Sequence, residues 1–260
     1  MKRILGMTSV IALTALAAPA ASAATIVIDD FSASGSVASK LNGNPATTDV
    51  SDTGILGGNR FMWVSTDNTT QDFGTTFSAG GGKLTYGNDS GATGQAVLVY
   101  DGGGAGTDFS FTFNDLPTGV SSNIAVDTDG LGGIDLDPAN DPLVSAFTFS
   151  GSDFDVNGTA DFWAYAWDTS GNLTTYFEEI QDVNFSESLF LAAFTEDSNN
   201  TSAFDWNNVG ALAFSIEANT NNFDGTIDAI TVVPLPASAL LLLGGLGGLA
   251  GVSARRRRKA

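Results

Sequence analysis

The chain has 260 residues, no cysteine and no histidine, and 29 acidic residues against 10 lysines and arginines, a formal net charge of −19. Without cysteine there is no disulfide framework, and without histidine the hydrolases that use an imidazole base and the imidazole-containing zinc sites are excluded. An acidic surface of this strength repels phosphate backbones, which sets nucleic acid aside as a partner.

Residues 1–23 open with Lys2 and Arg3, continue through Val10, Ile11, Leu13 and Leu16, and end on Ala21, Ser22 and Ala23. A basic start, an apolar stretch and a small-residue exit are the layout of a secretory signal peptide, with cleavage expected between Ala23 and Ala24. Two of the cations lie in this segment and five lie in Arg255 to Lys259, which leaves Lys40, Arg60 and Lys83 among all 29 acids, so the intervening body carries −26. Such a body attracts cations.

In the body, residues 24–232, apolar residues alternate in ten short runs: TIVIDDF, RFMWVS, KLTYG, QAVLVYD, TDFSFTF, SAFTFSG, DFWAYAWD, LTTYFEE, GALAFSIE and TIDAITVV. Period-two runs separated by Gly, Asn, Asp and Ser predict strands. The only helix-like stretch is Ser188 to Phe194. The expected fold is therefore all-β, an antiparallel β-sandwich of the jelly-roll kind, with a split into two domains near Gly119 as the alternative. Two polar, turn-rich stretches, residues 32–59 and 127–142, are expected to be loops or a decorated edge. Within the second, AVDTDGLGGIDL sets Gly130 at the sixth position of an EF-hand-like loop but has Ala125 and Leu136 at the first and twelfth. Asp127, Asp129, Asp135 and Asp137 then read as an acidic turn with weak cation affinity.

DFWAYAWD puts Trp163, Tyr165 and Trp167 on one face of a strand, with Asp161 and Asp168 at its ends. Flat rings suit stacking on sugars, and carboxylates accept hydroxyls, so this strand is the candidate carbohydrate site; the competing reading is that the rings are core. For a glycosidase the available glutamates are Glu178, Glu179, Glu187, Glu196 and Glu217. Adjacent Glu178 and Glu179 face opposite sides of a strand and cannot flank one bond, so no catalytic pair is visible and no catalysis is expected.

Residues 235–252 form an uncharged stretch of 18 residues with seven leucines. As a helix it would extend about 27 Å, just short of a hydrocarbon core of about 30 Å, and the arginines behind it would stay on the cytoplasmic side. A short C-terminal transmembrane helix is expected.

Val233, Pro234, Leu235, Pro236 and Ala237, followed by the leucine–glycine run and by Arg255, Arg256, Arg257 and Arg258, resemble the PEP-CTERM sorting signal in its VPLPA variant, with Leu235 where that class usually has glutamate. The resemblance covers residues 233–260 and implies an exosortase-type membrane enzyme as partner, cleavage near Pro236, transient anchoring in the inner membrane of a Gram-negative bacterium, and delivery to the cell surface or the matrix of a biofilm. The stretch DWNNVGALAFSIEANTNNFDGTIDAITVV resembles the closing hairpin of galactose-binding-like jelly rolls. That resemblance implies a structural Ca²⁺ held by Asp228 with Asp29 or Asp30. Alternation puts Asp30 on the face of Ile26 and Ile28, where a carboxylate needs a partner. The chain thus reads as an exported, surface-sorted, non-catalytic protein of the envelope or extracellular matrix, with binding of exopolysaccharide as the alternative role of its body.

Overall fold

The computed structural model describes residues 24–40, 44–67, 74–114, 116, 119–138, 140–152, 158–180 and 185–234. The strands in chain order are β1 (Ile26–Asp29), β2 (Gly35–Ser39), β3 (Ala46–Ser51), β4 (Asn59–Asp67), β5 (Thr75–Gly80), β6 (Lys83–Asn88), β7 (Thr93–Tyr100), β8 (Thr107–Ser110) and β9 (Asn123–Val126). There follow β10 (Ser145–Ser152), β11 (Ala160–Asp168), β12 (Leu173–Ile180), β13 (Phe185–Phe190), β14 (Thr195–Glu196), β15 (Val209–Ala218), β16 (Asp224–Ile227) and β17 (Ile230–Pro234). Each of the ten alternating runs falls on a strand, and TIDAITVV is cut at Asp228 and Ala229 between β16 and β17.

The strands form two large antiparallel sheets. Sheet I has the order β1-β17-β10-β16-β6-β5-β2, with β13 on the free side of β10, and sheet II has the order β14-β12-β11-β15-β7-β4-β3. Successive side chains point to opposite faces, so sheet II turns Met62, Leu98, Phe162 and Phe214 toward Phe77, Tyr86, Phe147 and Val232 of sheet I, and these form the principal core. The outer face of sheet II is apolar as well. Trp63, Val97, Val99, Tyr165, Trp167 and Ala213 lie there beneath a two-stranded arm, β8–β9, which contributes Phe109, Phe111, Ile124 and Val126. Burial on both faces explains why β15 is buried along its whole length and why QAVLVY and GALAFSI are nearly continuous apolar runs.

The expected antiparallel sandwich is the architecture observed, and residues Ala23–Leu235 make one compact unit. Of the two readings of residues 32–59, the decorated edge is the one observed, since they hold β2 and β3, the last strands of sheets I and II, and a 3-10 turn. One local expectation is corrected: Ser188 to Phe194 is the end of β13 followed by a 3-10 turn at Leu191–Ala193 rather than a helix. The signal segment, the stretch 235–252 and the arginine cluster lie outside the described residues. Among the described residues no helix is long and apolar enough to cross a membrane.

Candidate functional site

The arm covers only part of sheet II's outer face. On the β3–β4 side that face is open and forms a groove of about 780 Å³. The register pairs Thr47 with Trp63, Asp49 with Phe61 and Ser51 with Asn59, and alternation puts all six on the groove side. One wall is the edge of the arm, with Ser121, Asn123 and Ala125 exposed. The end is closed by the turn Asp101–Gly104 and by Gly57 and Gly58.

The polar groups in this groove divide into bonded and open ones. Asp101 is buried, and both its oxygens are engaged: Gly103 N donates to Oδ1 at 3.0 Å and Asp127 N donates to Oδ2 at 3.0 Å. It ties the end of β7 to the end of β9 and so fixes the arm. Gly102 has φ of 71°, and a Cβ there would run into the Gly130 carbonyl, so only glycine lets these segments meet. Ser51 Oγ donates to Asn59 Oδ1 at 3.2 Å. Asp49 is exposed, and among the described residues none donates to its carboxylate. Phe61 is half-buried, while Trp63 is stacked on Phe113 with ring centroids 5.8 Å apart and planes 14° apart. The groove therefore offers part of an aromatic face beside a carboxylate, amides and hydroxyls.

The candidate strand from the sequence is placed differently. Trp163, Tyr165 and Trp167 do share one face, but Phe109 lies 5.6 Å from the Tyr165 ring and 4.9 Å from the Trp167 ring, edge on, and Phe111 lies 5.1 Å from Tyr165. Tyr165 and Trp167 are only 2% and 4% exposed, and burial pushes the Tyr165 phenol up. For Tyr165 and Trp167 the competing core reading is thus the one observed, and they do not form an open platform. Trp163 alone reaches the arm's far edge, half-buried against the exposed Phe177 at 4.6 Å. Asp168 accepts from Ser170 N, Asn172 N and Asn172 Nδ2, closing the β11–β12 turn.

A bulge in β1 decides how two of the residues considered for Ca²⁺ face. Register slips between Val27 and Asp29, so Ile28 and Asp29 are both buried and Asp30 is exposed, the reverse of simple alternation. Asp29 already has its partners: Arg60 Nη1 donates to Oδ2 at 2.6 Å, Tyr100 Oη donates to Oδ2 at 3.0 Å and Phe31 N donates to Oδ1 at 2.8 Å. Asp30 accepts from Ser32 N, and the Ser32 hydroxyl together with that N–H holds its carboxyl below the usual range, while Asp228 is half-buried at the break between β16 and β17. Among the described residues no group of three or more acidic, His or Cys side chains is arranged to hold a metal ion.

Glu179, Asp161 and Glu217 stand side by side across β12, β11 and β15. Their alignment is not visible from sequence spacing. Asn114 N donates to both Glu217 oxygens at 2.9 and 2.8 Å, Asn114 Nδ2 donates to Asp161 Oδ2 at 2.7 Å, and Asn219 Nδ2 donates to Asp161 Oδ1 at 2.8 Å. Glu217 and Asp161 thereby anchor the chain that leaves β8. Of the sorting-signal residues, Val233 and Pro234 are the last of β17, paired with Ala146 and Ser145. Leu235, Pro236, Ala237 and Arg255 to Arg258 lie outside the described residues, as does Ala23, with Ala24 the first residue described.

Sequence reasoning passed over the groove although RFMWVS carries the same alternating aromatics as DFWAYAWD. What hid it was its other half, since ATTDVS has too little apolar character to announce a strand.

No protein-family model matches the chain, and no curated protein does. Among solved structures, the family 11 carbohydrate-binding module of a cellulosomal cellulase of Clostridium thermocellum is similar at 14% identity, over 81% of this chain and 95% of that one, with a TM-score of 0.36. The Clostridium thermocellum family 11 module in complex with a β-1,3-1,4-mixed-linked tetrasaccharide is similar at 10% identity over 82% and 96%, with a TM-score of 0.34. An exo-β-agarase is similar at 10% identity over 81% of this chain and 26% of that one, with a TM-score of 0.32. Scores this low set no strand-by-strand correspondence.

Proposed function

We propose that the body is a non-catalytic polysaccharide-binding β-sandwich and that the β3–β4 groove is where the chain of sugars lies. The observation that carries this reading is the groove itself: about 780 Å³, open along sheet II, with Phe61 at its floor and Asp49, Asn59, Thr47 and Asn123 around it. A pyranose ring has an apolar face that stacks on an aromatic ring and an equator of hydroxyls that need acceptors and donors. The volume falls in the range of ligand clefts. The carboxylates Asp161 and Glu217 are engaged by amide donors, which favours an anchoring role for them over acid–base work.

The test is affinity electrophoresis of the protein through gels containing a neutral β-glucan, mannan, xylan or galactan. Wild type is expected to be retarded by at least one, and Phe61→Ala to weaken that retardation by about tenfold, the order expected for loss of an aromatic stack. Asn123→Ala, at an exposed position on the arm, should weaken it without altering the melting temperature. Retardation untouched by both substitutions would assign binding elsewhere.

The VPLPA motif and the arginine cluster support the further reading that the protein is exported, cut by an exosortase-type enzyme and delivered to the cell surface or matrix. Intact mass of the protein from its own host is then expected to lack residues 1–23 and everything beyond about Ala237. A mature species that keeps Arg255 to Arg258 would mean a permanent anchor instead.

A further inference from the structure

We infer that the groove is charge-selective: it takes an uncharged polysaccharide and turns acidic ones away, with Asp49 as the residue that sets the choice. This rests on the binding reading above. Asp49 is directly across from Phe61, so a sugar stacked on that ring lies beside the carboxylate. Hydroxyls of an uncharged ring donate to it, and no donor among the described residues competes for it. A uronate or sulfate at the same place meets a like charge.

Among the described residues nothing in the groove offsets that charge: its lining contains Asp49 and Asp101 and no lysine or arginine. Arg60 lies between two groove residues in sequence, yet alternation turns it inward, where it is fully buried against Asp29. Of the remaining body cations, Lys40 follows β2 and Lys83 opens β6, both strands of sheet I. The binding chemistry among the described residues is therefore acceptor-rich and without cations, in contrast to proteins that hold acidic glycans with paired arginines.

The body's general charge of −26 also repels polyanions, and the two contributions separate by range. At an ionic strength of about 0.15 M the Debye length is about 8 Å, so distant carboxylates are screened while Asp49 still acts on a ring in contact with it. The experiment uses the full chain and pairs of immobilised polymers with one backbone: hydroxyethylcellulose against carboxymethylcellulose, and β-mannan and galactan against their carboxymethylated forms.

The neutral polymer of at least one pair is expected to bind about tenfold more tightly than its acidic partner at that ionic strength. Asp49→Asn should raise the ratio of acidic to neutral affinity severalfold. Asp141→Asn removes the same charge from the loop before β10, outside the groove, and should leave the ratio unchanged. Equal binding of both members of every pair would overturn the charge selection and leave polysaccharide binding standing. A ratio that Asp49→Asn does not move, or that Asp141→Asn moves as much, overturns the role of Asp49. Failure to bind any neutral polymer would count against the binding reading itself.

Discussion

Trp167→Ala is expected to cost about 3–5 kcal/mol of unfolding free energy, the range for removing a large aromatic from a packed core. Trp163→Ala, on the same strand and the same face, should cost about 1–2 kcal/mol, because part of its ring already meets water. The difference comes from the arm. Trp167 is 4% exposed, with Phe109 edge on at 4.9 Å, Phe111 at 6.5 Å and Tyr165 at 6.1 Å. Truncating it opens a cavity between sheet II and β8 that neither side can close, since the arm is tied down at Asp101 and at Asn114. Urea midpoints of the two variants provide the measurement. Equal and small costs would mean that the arm does not stay on the rings in solution and that all three are available to ligand.

Arg60→Ala is expected to be about as damaging, at roughly 3–5 kcal/mol, because it strands the Asp29 carboxylate in the core. Both partners are 0% exposed. The guanidinium also donates from Nη2 to the Ala33 carbonyl at 2.8 Å and lies over the Phe31 ring at 5.6 Å, so one side chain holds the whole turn between β1 and β2. Asp29→Leu alone leaves the converse orphan, a buried cation. Combining Asp29→Leu with Arg60→Met removes both charges at similar volume, and the pair should cost much less than the sum of Asp29→Leu and Arg60→Met measured singly. Recovery stays incomplete, because Tyr100 Oη and Phe31 N lose their acceptor. Strict additivity in that cycle would show that the two charges do not interact in the folded state.

Alternation made the strands legible, but QAVLVY reads only as one more alternating run, although its burial on both faces reflects a third layer. TDFSFTF supplies that layer, since Phe109, Phe111 and Phe113 recur at every second residue, but nothing local says which sheet they cover. The aromatic row on β11 was read correctly as one face and could not be told from a binding platform for the same reason. Edge strands were the least visible: in GSVAS and ATTDVS small and polar residues suffice, because one face of β3 opens on the groove. The inward turn of Asp29 was hidden by one extra residue, the bulge that inverts the facing of Asp29 and Asp30 given by counting in twos from Ile26.

Pairing of β1 with β17 sets Ile26 against Val232, the first described strand against the last. β17 also supplies the neighbour for Ser145 to Thr148 of β10. Sheet I can therefore close only after Pro234 has left the translation machinery, whatever order the earlier hairpins form in. Contacts this distant in sequence make for slow folding, since loop closure must precede the burial that rewards it. Until then the open edges of β1 and β10 are templates for pairing with other chains. A chain cut short before Ile230 would thus be an aggregation hazard rather than a smaller working module.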